Sequence, residues 1–220
     1  MPAQRWAVLR GGRVARCREG RERELPGSGL PSFLIATSFA AGLNVYATVA
    51  TLGILARTGV LTLPSQLSAL RSPYVIGAAL VLFALEFVAD KIPFLDLIWN
   101  ALQTFVRVPV AALLAFRETQ HLAPEAQLLS ALLGGAIAFA AHTGKTAARA
   151  AVTPSPEPIS NFALSFAEDA GAVFLTWLAT RHPYVAAAIA ICALAAIVIL
   201  FRVVLRFLRH LAPRAGTRAE

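Results

Sequence analysis

The sequence has little charge. Only 15% of its 220 residues are Asp, Glu, Lys or Arg, against about 25% in an average soluble chain. Cysteine is nearly missing as well. Two residues exclude a disulfide scaffold and a Cys-based zinc module. Catalytic signatures are also lacking: there is no GxSxG, no HExxH, no P-loop and no GxGxxG followed by an acidic residue. His121, His142, His182 and His210 are scattered without metal-ligand spacing. No cofactor, no metal and no enzymatic activity is expected from such a chain.

What is present is apolar. Hydrophobic residues make up 57% of the chain and the mean hydropathy is +0.65. That rules out a disordered chain and argues against an ordinary soluble domain. The net charge of +8 invites a nucleic-acid reading, but the placement of the charges argues against it. Seven of the 20 basic residues lie before position 32, and five more, from Arg202 to Arg218, close the chain. Basic ends around apolar segments suit anionic headgroups and membrane orientation. The expected partner is the lipid bilayer, not nucleic acid.

Three regions follow. Residues 1–31 are rich in Arg and Gly, and their longest apolar run, Trp6 to Leu9, is shorter than the roughly 7–15-residue core of a secretory signal. A disordered cytoplasmic tail is expected there, a transmembrane domain over 32–210, and a basic C-terminal tail over 211–220. The domain reads as an all-α, multi-pass transmembrane helical bundle of about six segments: 33–56, 74–90, 95–116, 127–152, 158–180 and 183–208. Each meets the roughly 17–25 residues needed to span. The segments 95–116 and 158–180 carry internal charges and are candidates for tilted, broken or re-entrant passage. Gly59 to Ser72 is too short to span and reads as a cap on the bundle. An even count of spans puts both termini in the cytoplasm. Fifteen basic residues then lie inside and four outside (Arg57, Arg71, Arg117 and Arg181), with Arg107 within the membrane.

A shift of 61 aligns 93–117 with 154–178 and gives six identities, among them Asn100 with Asn161 and Phe105 with Phe166. Either two apolar helices look alike, or the chain carries an internal repeat. Repeats are common in transporters, with the solute site at their interface. The alignment sets Arg107 opposite Glu168, with Asp169 beside it. A charge at a helix centre costs roughly 2.5–3.5 kcal/mol on insertion scales, so an Arg107–Glu168 contact is expected. Asp169 should point about 100° away. That pair is either a salt bridge fixing helix register or part of a solute or ion site.

Thr37, Ala41, Asn44, Thr48 and Thr51 share one helical face. The stripe either packs closely against other helices or sets Asn44 beside Arg107. The candidate midplane site is therefore Asn44, Arg107, Glu168 and Asp169. Glu86 and Asp90, four apart, face candidates Lys145 and Arg149, also four apart. With Lys91 and His142 these make a cytoplasmic charge layer. It is either a network of snorkelling side chains or an inner gate or proton relay. Gly134-Gly135 reads as a close helix contact.

Gly42-Leu43-Asn44-Val45-Tyr46 and Glu86-Phe87-Val88-Ala89-Asp90-Lys91-Ile92-Pro93 resemble a family of bacterial integral-membrane proteins, the domain of unknown function 4126. Its members typically show a GLN-x-Y-type start, then E-x3-DK-[IV]-P, then Asp, Trp and an aromatic or Arg-Pro element. Here that tail is Asp96, Trp99, Arg107 and Pro109, with Val108 separating Arg from Pro. The resemblance covers roughly 33–208 and not the Arg-rich tail. It implies a multi-pass protein of the bacterial inner membrane and supplies no activity. Two functions follow as expectations. One is a small transporter or channel-like protein for a small polar or ionic solute. The other is a non-transporting membrane scaffold in which the same charges only lock the helices. A bundle this small, rich in Gly and Ala, also suits a homo-oligomer.

Overall fold

Proline marks where the helices start. Its fixed φ and missing N–H suit the first turn, where that donor has no helical partner. Pro73, Pro93, Pro124, Pro158 and Pro183 each open a helix, and Pro31 lies in the first turn of another. The computed structural model describes residues 29–63, 65–90, 93–152 and 158–211. These form seven helices: α1 (Leu30–Leu43), α2 (Val45–Arg57), α3 (Pro73–Ala89), α4 (Pro93–Glu118), α5 (Pro124–Val152), α6 (Pro158–Arg181) and α7 (Pro183–Leu211). A 3-10 helix over Ser65–Arg71 joins α2 to α3, and packs against α2, α3 and α4 as the expected cap. No strand occurs among the described residues. The proposed tail lies almost wholly outside the described residues, as do Lys91 and residues 212–220.

The burial pattern is inverted relative to a soluble protein. Large apolar side chains face outward, among them Phe105, Leu132 and Phe207, while Glu86 and Arg107 are fully buried at 0% exposure. Water would penalise that surface and favour those charges outside. Lipid reverses both preferences. Four helical stretches are long and apolar enough to cross a bilayer: Ile98–Glu118, Pro124–Arg149, Phe162–Arg181 and Pro183–Phe207. The last is the most apolar, with a mean hydropathy of 2.9. The protein is a helical membrane bundle.

The first segment departs from expectation. Residues 33–56 do not form one span. Asn44 is extended (φ −151°, ψ 106°) and splits the segment into arms of 14 and 13 residues. Each arm is about 20 Å long, short of the roughly 30 Å hydrocarbon core. Neighbouring contacts give their directions. A side chain at Gly134 would meet Ser38 of α1 and Ala115 of α4, while Arg107 of α4 reaches the carbonyls of Gly42 and Leu43. Along α4, then, α1 descends from the level of Ala115 to that of Arg107. Beyond the break the chain turns back. Asn44 meets Asp169 of α6, Thr48 lies beside Thr176 farther along α6, and Gly53 packs on Ile76 near the start of α3. α1 and α2 form a re-entrant hairpin, its tip at Gly42-Leu43-Asn44.

The hairpin changes the count of crossings. α3 (17 residues), α4, α5, α6 and α7 alternate in direction. Leu30 therefore sits at the end of the bundle where α6 stops and α7 starts, and Leu211 at the other end. The even-span count that placed both termini on one side does not describe these helices. α4 and α6, which carry the two segments of the possible repeat, run the same way.

The core that seats the hairpin is small and tight. Phe33, Ala36, Phe39 and Ala40 of α1 cluster with Leu175, Leu178 and Ala179 of α6 and with Ala186 and Ala190 of α7. Ala41, Val45, Ala111 and Ala138 form a second cluster at the tip. A Cβ on Gly42 would lie 2.5 Å from the Ala138 carbonyl oxygen. Only glycine lets the end of α1 come this close to α5. Gly134 plays the close-contact role expected of it, with a Cβ falling 2.8 Å from that of Ala115, whereas Gly135 makes ordinary contacts.

Candidate functional site

A helix end inside a bilayer leaves backbone groups without partners, and each must be satisfied by protein. The break at Asn44 does this from both sides. The Asn44 side-chain oxygen accepts from the Ala47 amide at 2.9 Å, capping α2. The Thr48 hydroxyl donates to the Asn44 carbonyl at 2.9 Å. The last carbonyls of α1 receive cations: Arg107 Nη1 donates to Gly42 O at 3.1 Å and to Leu43 O at 2.9 Å, and Lys145 Nζ donates to Leu43 O at 3.2 Å. Positive charge at a helix C-terminus also complements its dipole.

From these contacts a charge network spreads through the bundle. Arg107 Nη2 donates to Glu86 Oε1. Its Nη1 also donates to His142 Nδ1 at 2.9 Å. A guanidinium only donates, so Nδ1 is the acceptor and His142 Nε2–H donates to the Asn100 carbonyl at 3.1 Å. Lys145 Nζ lies 3.4 Å from Glu86 Oε1, 3.7 Å from Asp90 Oδ2 and 3.3 Å from Glu168 Oε2. Arg149 Nη2 reaches Asp90 Oδ2 at 2.6 Å and Glu168 Oε2 at 2.8 Å. Ser165 adds a hydroxyl 3.3 Å from Asp90 Oδ2. Asp169 stands apart. Its Oδ1 accepts from the Asn44 amide nitrogen at 2.8 Å, and no ion pair reaches it among the described residues.

The Arg107–Glu168 contact expected from the repeat does not form. Arg107 pairs with Glu86 on α3, and Glu168 turns to Lys145 and Arg149 on α5. Glu168 and Asp169 do face different neighbours, as adjacent helical positions must. The two expected clusters are one: Asn44, Glu86, Asp90, Arg107, His142, Lys145, Arg149, Glu168 and Asp169 are all buried and linked. Glu86 and Asp90 face Lys145 and Arg149, as their spacing suggests. Lys91 lies outside the described residues. Ser165 and the Asn100 carbonyl were not read from the sequence. A hydroxyl and a backbone oxygen in apolar helices carry no distinguishing signal.

The family model described as Domain of unknown function (DUF4126) matches residues 32–203. The chain belongs to that family. No curated protein and no solved structure matches it. The DUF4126 stretch contains all of the hairpin except Leu30 and Pro31, and every member of the network. The motif acids Glu86 and Asp90 are the α3 side of the charge layer, and the Gly42-Leu43-Asn44 motif is the hairpin tip. Asn44, Glu86 and Asp90, three of the residues that carry the resemblance, are thus all buried in one network.

Proposed function

We propose that the protein carries a small polar or ionic solute across the bilayer, acting as a transporter or channel-like protein and not as an enzyme. One observation carries this reading: the tip of a broken helix joins a network of seven charged side chains inside the membrane domain, three of which it touches. Discontinuous helices whose ends point at a charged midplane site are a recurrent construction of transporters. Non-helical backbone at membrane depth is tolerated only inside protein or along a water-filled path. Each charge costs roughly 2.5–3.5 kcal/mol to place there. The solute site would comprise Asn44, Arg107, Glu168 and Asp169, with Glu86, Asp90, His142, Lys145 and Arg149 gating it. The basic end of α7 would face the cytoplasm of a bacterial plasma membrane, where anionic lipids hold Arg202, Arg206 and Arg209.

A scaffold is the competing reading, and the extent of internal pairing favours it: Arg107, Lys145 and Arg149 all have carboxylate partners. Exchanging the partners, Glu86→Arg with Arg107→Glu, separates the two. A scaffold recovers in the double exchange the part of its stability that the pair supplies, though not the part supplied by the Arg107 donors to Gly42 and Leu43. A solute site folds in the double exchange and stays inactive. A ligand screen by thermal shift on the purified protein, run beside Arg107→Ala, supplies the solute. A solute that stabilises the wild type and not the variant supports transport. No shift in the wild type favours the scaffold.

A further inference from the structure

The network does not balance. Among the described residues it contains four carboxylates (Glu86, Asp90, Glu168 and Asp169) and three cations (Arg107, Lys145 and Arg149), all nine-tenths or more buried. The cations are committed to the first three carboxylates. Asp169 is 4% exposed, its Oδ1 is held by Asn44, and its Oδ2 has no hydrogen-bond partner. Among the described residues no cation lies within ion-pair distance of an anion in this position, which the membrane interior penalises heavily.

A cation must therefore join Asp169, and its surroundings fit the smallest one. The Asn44 oxygen is used by the Ala47 amide, so Asn44 shows Asp169 an N–H donor and not a ligand. Hard metal cations gather about six or more oxygens, and among the described residues no group of three or more His, Cys, Asp or Glu is placed to hold a metal ion. We propose that Asp169 Oδ2 is a proton-binding site at the tip of the hairpin, and that the proton is the ion coupled to transport. This rests on the transport reading above and names its coupling ion. One O–H bond forms at Oδ2 on binding and the same bond breaks on release, with no redox change.

Every helix packed around the site supplies a facing group or none. The α1–α2 tip offers Asn44. α3 offers Glu86 and Asp90, α4 Arg107, α5 His142, Lys145 and Arg149, and α6 Glu168 and Ser165. The α7 residues in the cluster shared with α6 are apolar, among them Ala190, Leu194 and Ile197. Release of the proton exposes Lys145 to a new carboxylate. Lys145 also holds the Leu43 carbonyl, so a change of charge at Asp169 pulls on the hairpin tip.

The test is infrared difference spectroscopy of the full chain in liposomes across a pH step. The wild type should show a protonated-carboxyl C=O band that vanishes in Asp169→Asn. In Asn44→Ala the band should remain and shift in frequency, because Oδ1 loses its donor. Should Asp169→Asn fail to fold, the shift in Asn44→Ala decides alone. A wild type without the band, a band retained in Asp169→Asn, or one unmoved in Asn44→Ala overturns the proposal. A band that depends on Na+ at fixed pH also overturns it, in favour of a metal cation. Proton flux into the same liposomes, driven by a K+ diffusion potential, is read separately. Flux lost in Asp169→Asn supports the coupling. The band without flux keeps the proton site and removes the coupling, and the solute screen decides the transport reading separately.

Discussion

Arg107 on α4 and Glu86 on α3 form an ion pair in which neither side chain reaches solvent. The pair also holds the hairpin, because the same guanidinium donates to the carbonyls of Gly42 and Leu43. Removing Arg107 therefore strands a carboxylate and two helix-end carbonyls together. Breaking a buried pair from one side costs about 3–5 kcal/mol. Arg107→Ala should lose at least that, read by denaturant titration in mixed micelles. Glu86→Gln, which keeps the shape and an acceptor, should lose less. Equal losses would mean that the hairpin contacts of Arg107 contribute nothing.

Asn44 performs two tasks with one side chain. Its oxygen caps α2 and its nitrogen holds Asp169. Losing an N-cap costs about 0.5–2 kcal/mol, and leaving a buried acceptor unpaired costs about 1–3 kcal/mol more. Asn44→Ser should keep part of the cap and lose the Asp169 bond, so it should fall between wild type and Asn44→Ala. Thermal melting of the three proteins checks the order.

Much of this arrangement was legible in the sequence. The apolar segments located α3 to α7, and the i, i+4 spacing of Glu86 with Asp90 and of Lys145 with Arg149 implied two matching faces. The break at Asn44 was hidden because the small, polar period of Thr37, Ala41, Asn44, Thr48 and Thr51 runs unbroken through it. The only local hint was Asn44 itself, an N-cap residue two places after a glycine in a segment without charge. The partner of Arg107 was hidden for another reason. Periodicity says which face a side chain occupies, not which helix lies opposite. The repeat alignment offered Glu168, but α3 supplies Glu86 to Arg107 instead.

Glycine packing offers a controlled comparison. A Cβ at Gly42 meets backbone of α5 at 2.5 Å, whereas one at Gly77 meets nothing within 4 Å. Gly42→Ala must push α1 away from α5, and overpacking of this kind costs about 1–3 kcal/mol. Gly77→Ala, at an open position on α3, should gain roughly 0.5–1 kcal/mol from helix propensity. Opposite signs in one denaturation assay are expected. A neutral Gly42→Ala would mean that the hairpin tip seats more loosely than this contact implies.

The hairpin makes the most discriminating prediction, because a single span and a re-entrant pair differ in which side each end occupies. In a background with Cys17→Ser and Cys192→Ser, single cysteines at Leu30, Arg57 and Arg206 would be probed with a membrane-impermeant maleimide on sealed vesicles. If α1 and α2 turn back at Asn44, Leu30→Cys and Arg57→Cys label from one side and Arg206→Cys from the other. If 33–56 crosses as one helix, Leu30→Cys and Arg57→Cys label from opposite sides. Wild-type Cys192, exposed midway along α7, tests the bilayer assignment in the same assay. Its thiol should stay unlabelled in vesicles, where lipid covers it, and react once the protein is denatured.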